Sequence, residues 1–380
     1  MSDAYIVSGA MTRFGKYKSA SYAGIAVPPL VAALRESGLD KSEVEALFCG
    51  HAYGGMLTAQ RISKELGVGG IPIVNVDNAC SGGATAINQA FEGIRSGQYD
   101  VVVALGVEKL TQFSGGALPL PAEDREVQRG VVMPAVYAMR AQRYLYDTDA
   151  TIDDLAAVSV KARKHGAMNP FAQMRTAVTA AEVLESRPVA DPFTLLMCCP
   201  TGDGAAAVVI VSERVRKRLG GKAVAVRASV LHSGEVAEGF RDMTDPEITT
   251  RSAYEAYEEA GIGPDDLDVI ELHDAFSSAE LMYYESFGLA EKGRGFELIR
   301  SGETTFGGRV VVNPSGGLLA KGHPVGASGV AQAVELFWQL TGTAGERQVD
   351  NARFGLAHVT GGGISGLDHA ACAVHILEST

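Results

Sequence analysis

The stretch RESGLDKSEVEALFCGHAYGG, Arg35 to Gly55, reads as the end of an amphipathic helix, a glycine stop, an acidic turn and an apolar strand that runs into a polar loop. The same construction returns as EEAGIGPDDLDVIELHDAFSS, Glu258 to Ser278. Gly38 answers Gly261, Leu47 answers Ile270 and His51 answers Asp274, each pair 223 residues apart. Self-similarity at a fixed interval marks a duplicated structural unit. Further out, VNVDNACSGG (Val74–Gly83) and the helical run after it are answered by VVVNPSGGLLAKGHPVGASG (Val310–Gly329) and the run VAQAVELFWQL. Each copy closes with an apolar strand, GDGAAAVVIVSE in the first and HAACAVHILES in the second. Strand-like runs such as AYIVSG, VVVALG and AVAVRASV alternate with helices of ten or more residues, which predicts an α/β fold with a mixed sheet in each copy.

The duplication leaves one segment unmatched. It divides the chain into a first copy over residues 1–111 and 202–218, an insertion over 112–201, and a second copy over 219–380. A long insertion in a compact repeat is commonly functional. This one carries KARKHGAMNPFAQMR, in which Lys161, Arg163, Lys164, His165 and Arg175 form a local basic cluster suited to a phosphate-bearing ligand.

The cluster stands out because the chain is otherwise acidic. Its 380 residues are 46% hydrophobic and 21% charged, with a net charge of −12. That composition describes an ordinary globular protein with a large core, and its charge repels nucleic acid and anionic membranes. No apolar run approaches the ~20 residues that span a bilayer. The run MSDAYIVSGAMTRFG lacks a basic segment followed by a long apolar one, and the cysteine count of five is odd, so a reducing, cytoplasmic location is expected. No CxxC pair and no histidine cluster at zinc-ligand spacing occurs, so no metal site is expected.

Cys49, Cys198, Cys199 and Cys372 lie in or beside apolar runs and read as small buried hydrophobes. Cys80 differs. It sits between a strand and a helix start with Gly82 and Gly83 beside it, where unpaired N–H groups and the helix dipole favour a thiolate and should lower its pKa. Two histidines join it as candidates. His273 ends a predicted strand in ELHDAFSS, and His323 lies in KGHPVGASG, the loop that answers the Cys80 loop. A pseudo-twofold axis would bring the two loop tips together. In LAHVTGGGISG, the glycines Gly361, Gly362 and Gly363 after a strand can aim N–H groups at a developing oxyanion.

NACSGG, HDAF, GHPVGASG and the late GGG, in that order across the whole chain, resemble the thiolase superfamily, and VKARKHGAMNPFAQ is similar to its sterol-carrier-protein-2 type. The resemblance implies a thiolase fold, with two pseudo-twofold α/β halves packed in α-β-α-β-α layers and a loop domain inserted in the first. It also implies a coenzyme A thioester as substrate with no bound cofactor, and a homodimer or tetramer. Cys80 is then the acyl-accepting nucleophile. His323 activates it and lines the first oxyanion site with His273, while N–H groups at Cys80 and about Gly361 or Gly362 form the second. Lys161, Arg163 and Lys164 become candidate coenzyme A contacts.

The chain also departs from the pattern. The second acid/base cysteine of a CxGGG or HDCF motif is missing, with Val359 or Thr360 at the first place and Ala275 at the second. Losing a positioned acid/base costs about 10²–10⁴ in rate, so ordinary thiolysis should be slow unless a neighbour such as His358 substitutes. The leading expectation is an acyltransferase of lipid metabolism that makes or breaks a carbon–carbon bond through acyl-Cys80. The alternatives are a thiolase-fold retro-aldolase working with a small zinc-ribbon/OB-fold partner, a β-ketoacyl synthase-like enzyme, and an inert acyl-CoA or lipid-binding scaffold.

Overall fold

The protein is described by a computed structural model covering residues 3–113, 115–236, 239, 241–363 and 369–380. The first half runs β1 (Ala4–Met11), α1 (Tyr22–Ser37), β2 (Ala46–Gly50), α2 (Thr58–Leu66), β3 (Ile73–Val76), α3 (Gly82–Arg95) and β4 (Val101–Lys109). Next come α4 (Arg125–Gln128), α5 (Met133–Asp147), α6 (Ile152–Met168), α7 (Ala180–Leu184) and the short pair β5 (Pro188–Ala190) and β6 (Phe193–Thr194). The chain then returns through β7 (Asp203–Ser212) and α8 (Glu213–Leu219). The second half runs β8 (Val224–Ser233), α9 (Glu247–Ala260), β9 (Val269–Glu271), α10 (Ser277–Ser286), α11 (Gly295–Ser301), β10 (Val311–Val312), α12 (Gly317–Lys321), α13 (Val325–Leu340), β11 (Phe354–Gly361) and β12 (Ala371–Ser379).

The duplication is visible in the hydrogen bonds. The first half-sheet has the order β3-β2-β4-β7-β1 and the second the order β10-β9-β11-β12-β8. β2 pairs parallel with β3 and β4, and β7 pairs antiparallel with β4 and β1. Position for position, β9 pairs parallel with β10 and β11, and β12 antiparallel with β11 and β8. Even the helix stops agree: Gly38 and Gly261 each end a helix in the left-handed region, at φ 73° and 71°. The sequence predicts a sheet in each copy. The two copies in fact join through Tyr5↔Ala225 and Ile6↔Val224 of β1 and β8, which makes one ten-stranded sheet.

The packing is layered. α3 and α13 lie in one core with residues of both half-sheets, among them Ala206, Val208, Val269 and Ala357. A helix apolar on all sides belongs in such a central layer, and VGASGVAQAVELFWQL is buried almost throughout. Ile25 and Leu30 of α1, Ile62 of α2 and Val215 of α8 cover the outer face of the first half-sheet. α9 and α10 cover that of the second, where Tyr144 of α5 and Leu155 and Val158 of α6 join the same core. Strand alternation separates these layers: on β11, Leu356 faces the outer helices and Ala357 the central ones.

Candidate active site

Cys80 sits in the bend between β3 and α3. Ala79 before it is held at φ 48°, a left-handed conformation costly for a residue with a Cβ. The Asp77 carboxylate accepts from the Ala79 N–H at 3.0 Å, and the Asn78 and Ala79 carbonyls accept from Ser81 and Gly82 at 3.0 Å each. The Cys80 side chain packs against Ala84 of α3 and Val359 of β11. Nothing in the composition of DNACSGG announces a strained alanine.

The glycines around Cys80 and His323 have a shared cause. A Cβ on Gly83 would lie 2.5 Å from the Gly326 carbonyl oxygen, and one on Gly329 would lie 2.5 Å from the Ala84 nitrogen. The N-terminal turns of α3 and α13 therefore cross at backbone contact, and this crossing sets Cys80 beside His323. His323 itself lies between α12 and α13. Its Nδ1 is 2.8 Å from Ser328 Oγ, and that hydroxyl donates its single proton to the Pro324 carbonyl at 3.0 Å. Ser328 can then only accept, so Nδ1 carries the imidazole proton and Nε2 the lone pair. Nε2 is buried and has no hydrogen-bond partner among the described residues.

His273 follows β9 at the C-terminal end of the second half-sheet, and its ring meets the His323 ring edge-on at 5.0 Å between centroids. Cys80 Sγ and one nitrogen of each histidine all lie within 4.8 Å of one another. Sequence spacing predicts no metal site, because these three donors come from separate elements. Among the described residues they are the one group close enough to share an ion, and a thiol with two imidazoles matches the donor types of a zinc site.

The electrostatics reverse one expectation. Burial pushes the Cys80 thiol up to about 12, and N–H groups of Gly362 and of Cys80 itself offset this only in part. Burial also holds His323 down to about 3, with the Lys321 ammonium adding to the effect, and drives His273 well below its ordinary value. The predicted fall of the thiol pKa at the helix start is thus outweighed by desolvation. All three groups are neutral at rest.

The other candidates fall in different places. Gly362, rather than Gly361, points its N–H at the Cys80 sulfur. Gly361 instead allows close approach, since a Cβ there would meet the Asn78 carbonyl oxygen at 2.1 Å. Residues 364–366 of the glycine run lie outside the described residues. His358 projects from the outer face of β11, with Nε2 3.1 Å from Thr249 Oγ1 and its ring packed on Tyr283 and Phe287. Val359, on the other face, shares a cluster with Ala84 and Cys80.

The basic cluster also separates. Lys161 is buried, paired with Glu280 at 2.5 Å and donating to the Val312 carbonyl at 3.1 Å, so its charge is committed inside the protein. His165, one turn on, is buried with Nδ1 3.0 Å from the Asn313 carbonyl, and burial lowers it to about 3. Arg163 is half-buried and donates to the Thr176 carbonyl, and Lys164 is exposed.

Residues 4–214 match the thiolase N-terminal domain and residues 229–377 the thiolase C-terminal domain-like family. The benzoylsuccinyl-CoA thiolase subunit BbsB of Thauera aromatica is 42% identical over 97% of both chains. The acetyl-CoA acetyltransferase of Methanothermobacter thermautotrophicus is 36% identical over the full length of both, and human sterol carrier protein 2 is 36% identical over 94% of this chain and 69% of its own. Among solved structures, the Ltp2-ChsH2(DUF35) aldolase superposes with a TM-score of 0.86 at 24% identity over 100% of this chain and 98% of its own. Human mitochondrial 3-ketoacyl-CoA thiolase does so with 0.76 at 17% over 100% and 99%. With family matches running from residue 4 to residue 377, this chain belongs to the thiolase superfamily.

Proposed function

We propose that the protein is an acyl-CoA acyltransferase that makes or breaks a carbon–carbon bond through a thioester on Cys80. The observation that carries this is a His323 ring nitrogen within 4.8 Å of the Cys80 sulfur, on an imidazole whose tautomer Ser328 fixes. In the cleavage direction, Sγ attacks the β-keto carbon of an acyl-CoA as its proton passes to Nε2 of His323. The N–H groups of Cys80 and Gly362 face the sulfur and take the role of donors to the acyl oxygen, and His273 adjoins the same centre. Coenzyme A then takes the acyl group, and His323 returns the proton to Cys80. The thiol needs a base at the moment of attack because burial keeps it protonated beforehand.

The acyltransferase reading is preferred to the retro-aldolase one because a retro-aldol cleavage needs no sulfur nucleophile, and an inert scaffold needs none either. A second polypeptide belongs to the proposal: BbsB is named as a subunit, and the Ltp2 aldolase is a complex with ChsH2(DUF35). A small zinc-ribbon/OB-fold protein is the partner class.

Intact-protein mass spectrometry tests the proposal. Incubation with an accepted acyl-CoA, acceptor withheld, should add one acyl mass per chain and release free coenzyme A. Cys80→Ser should remain unmodified, and a Cys80→Ser protein that acylates as fast as the parent would refute the assignment.

A further inference from the structure

Cleavage of the carbon–carbon bond leaves an electron pair on the α-carbon of the departing acyl-CoA, and that carbon needs a proton. His323 could pass on the proton it took from Cys80 and be resupplied by coenzyme A, but one imidazole would then have to serve the sulfur and the α-carbon in turn. His273 is a neutral imidazole, a weaker acid than a neutral thiol. A donor of its own at the α-carbon lets His323 keep its proton for Cys80, and neither Ala275 nor Val359 and Thr360 offers a thiol for that.

The loop that leads into β7 brings another cysteine beside the segment that carries His273. In LLMCCPTGD, the Cys199 N–H donates to the Ala275 carbonyl at 2.9 Å, and Cys198 pairs with Phe276 in an antiparallel bridge. Cys199 thus lies across from Ala275, two residues past His273. The two adjacent cysteines are not equivalent. Cys198 donates its S–H to the Thr194 carbonyl at 3.3 Å, back into its own loop. Cys199 is half-buried, as Cys80 is, and Cys80 and Asp274 are among the groups that act on its charge.

We infer that the Cys199 thiol is the proton donor for carbon–carbon chemistry at Cys80, an assignment that rests on the acyltransferase reading above. As the Cα–Cβ bond breaks, its electron pair goes to Cα and Cα takes the Cys199 proton, leaving a Cys199 thiolate. Incoming coenzyme A gives its thiol proton to that thiolate and attacks acyl-Cys80, whose sulfur leaves and recovers the proton held on His323. Both cysteines end protonated, and no outside oxidant or reductant enters. Burial keeps Cys199 protonated at rest, the form a donor needs.

The test uses the full-length protein, together with its partner subunit if turnover requires one. Cys199→Ala should leave acylation of Cys80 intact by mass, lower cleavage turnover about 10²-fold or more, and abolish exchange of the acyl-CoA α-hydrogens with deuterium from solvent. Cys199→Ser, which keeps the size and loses the acidity, should do the same and decides the question if the alanine variant does not fold. Adding Ala275→Cys to Cys199→Ala should restore turnover, because it returns a thiol across the 2.9 Å hydrogen bond. Turnover and exchange within about twofold of the parent would overturn the assignment, as would acylation falling in step with turnover in both variants, or a double variant no more active than Cys199→Ala. Failure of the parent protein to acylate at all would instead sink the acyltransferase reading itself.

Discussion

Cys80 stays protonated because its sulfur is buried, and His323 stays neutral for the same reason, so neither can charge the other in advance. The pair is arranged for proton transfer during attack. What fixes the direction is Ser328: its hydroxyl is spent on the Pro324 carbonyl, so it can only accept from Nδ1 and leaves Nε2 free to act as the base. The consequence is measurable. With the thiol raised to about 12, the thiolate fraction should grow about tenfold per pH unit from neutrality upward, and iodoacetamide alkylation of Cys80 should follow without levelling off before pH ~10. A plateau beginning near pH 6 to 7 would reveal a preformed thiolate–imidazolium pair and contradict the neutral site.

At the scale of elements, the site is a crossing of two helix N-termini, and the glycines that permit it are legible in the sequence as repeats of one loop. Repeat position alone places His323 opposite Cys80, because duplicated units carry their loops to equivalent sheet ends. The basic run of α6 misleads for a periodic reason: a helix turns about 100° per residue, so KARKH sends Lys161 and His165 inward and leaves Lys164 in solvent. Charge type is visible in a sequence, whereas the face of the helix that packs depends on a distant partner, here Glu280 of α10. The same holds for His358, one residue out of phase with Val359 on β11. Cys199 reads in the sequence as a small buried hydrophobe because Ala275, which it faces, is 76 residues away in the chain. Lys161→Met offers a test: it leaves the Glu280 carboxylate buried without its cation and should cost about 3–5 kcal/mol of stability. A thermal melt unchanged from the parent, with coenzyme A affinity lost instead, would return Lys161 to the ligand.

At the scale of the molecule, the two ends of the ten-stranded sheet are finished differently. At the β10 end, Val311 and Val312 are buried, and Lys161 of the insertion caps the Val312 carbonyl. At the other end, β3 is an edge strand with Val74 41% exposed, and Met56 and Leu57 nearby stand 84% and 58% exposed just before α2. An uncovered apolar edge is a template for another strand, and β3 leads directly to the strained turn that holds Cys80. Pairing of β3 with its twin in a second copy would bury this edge and brace the nucleophile turn from outside. A homodimer should therefore be the smallest fully active species. Val74→Lys, which places a charge on the edge, should shift light scattering at micromolar concentration toward monomer and lower Cys80 acylation in parallel. A parent protein that is monomeric at that concentration and still fully active would show that the turn is rigid without its neighbour.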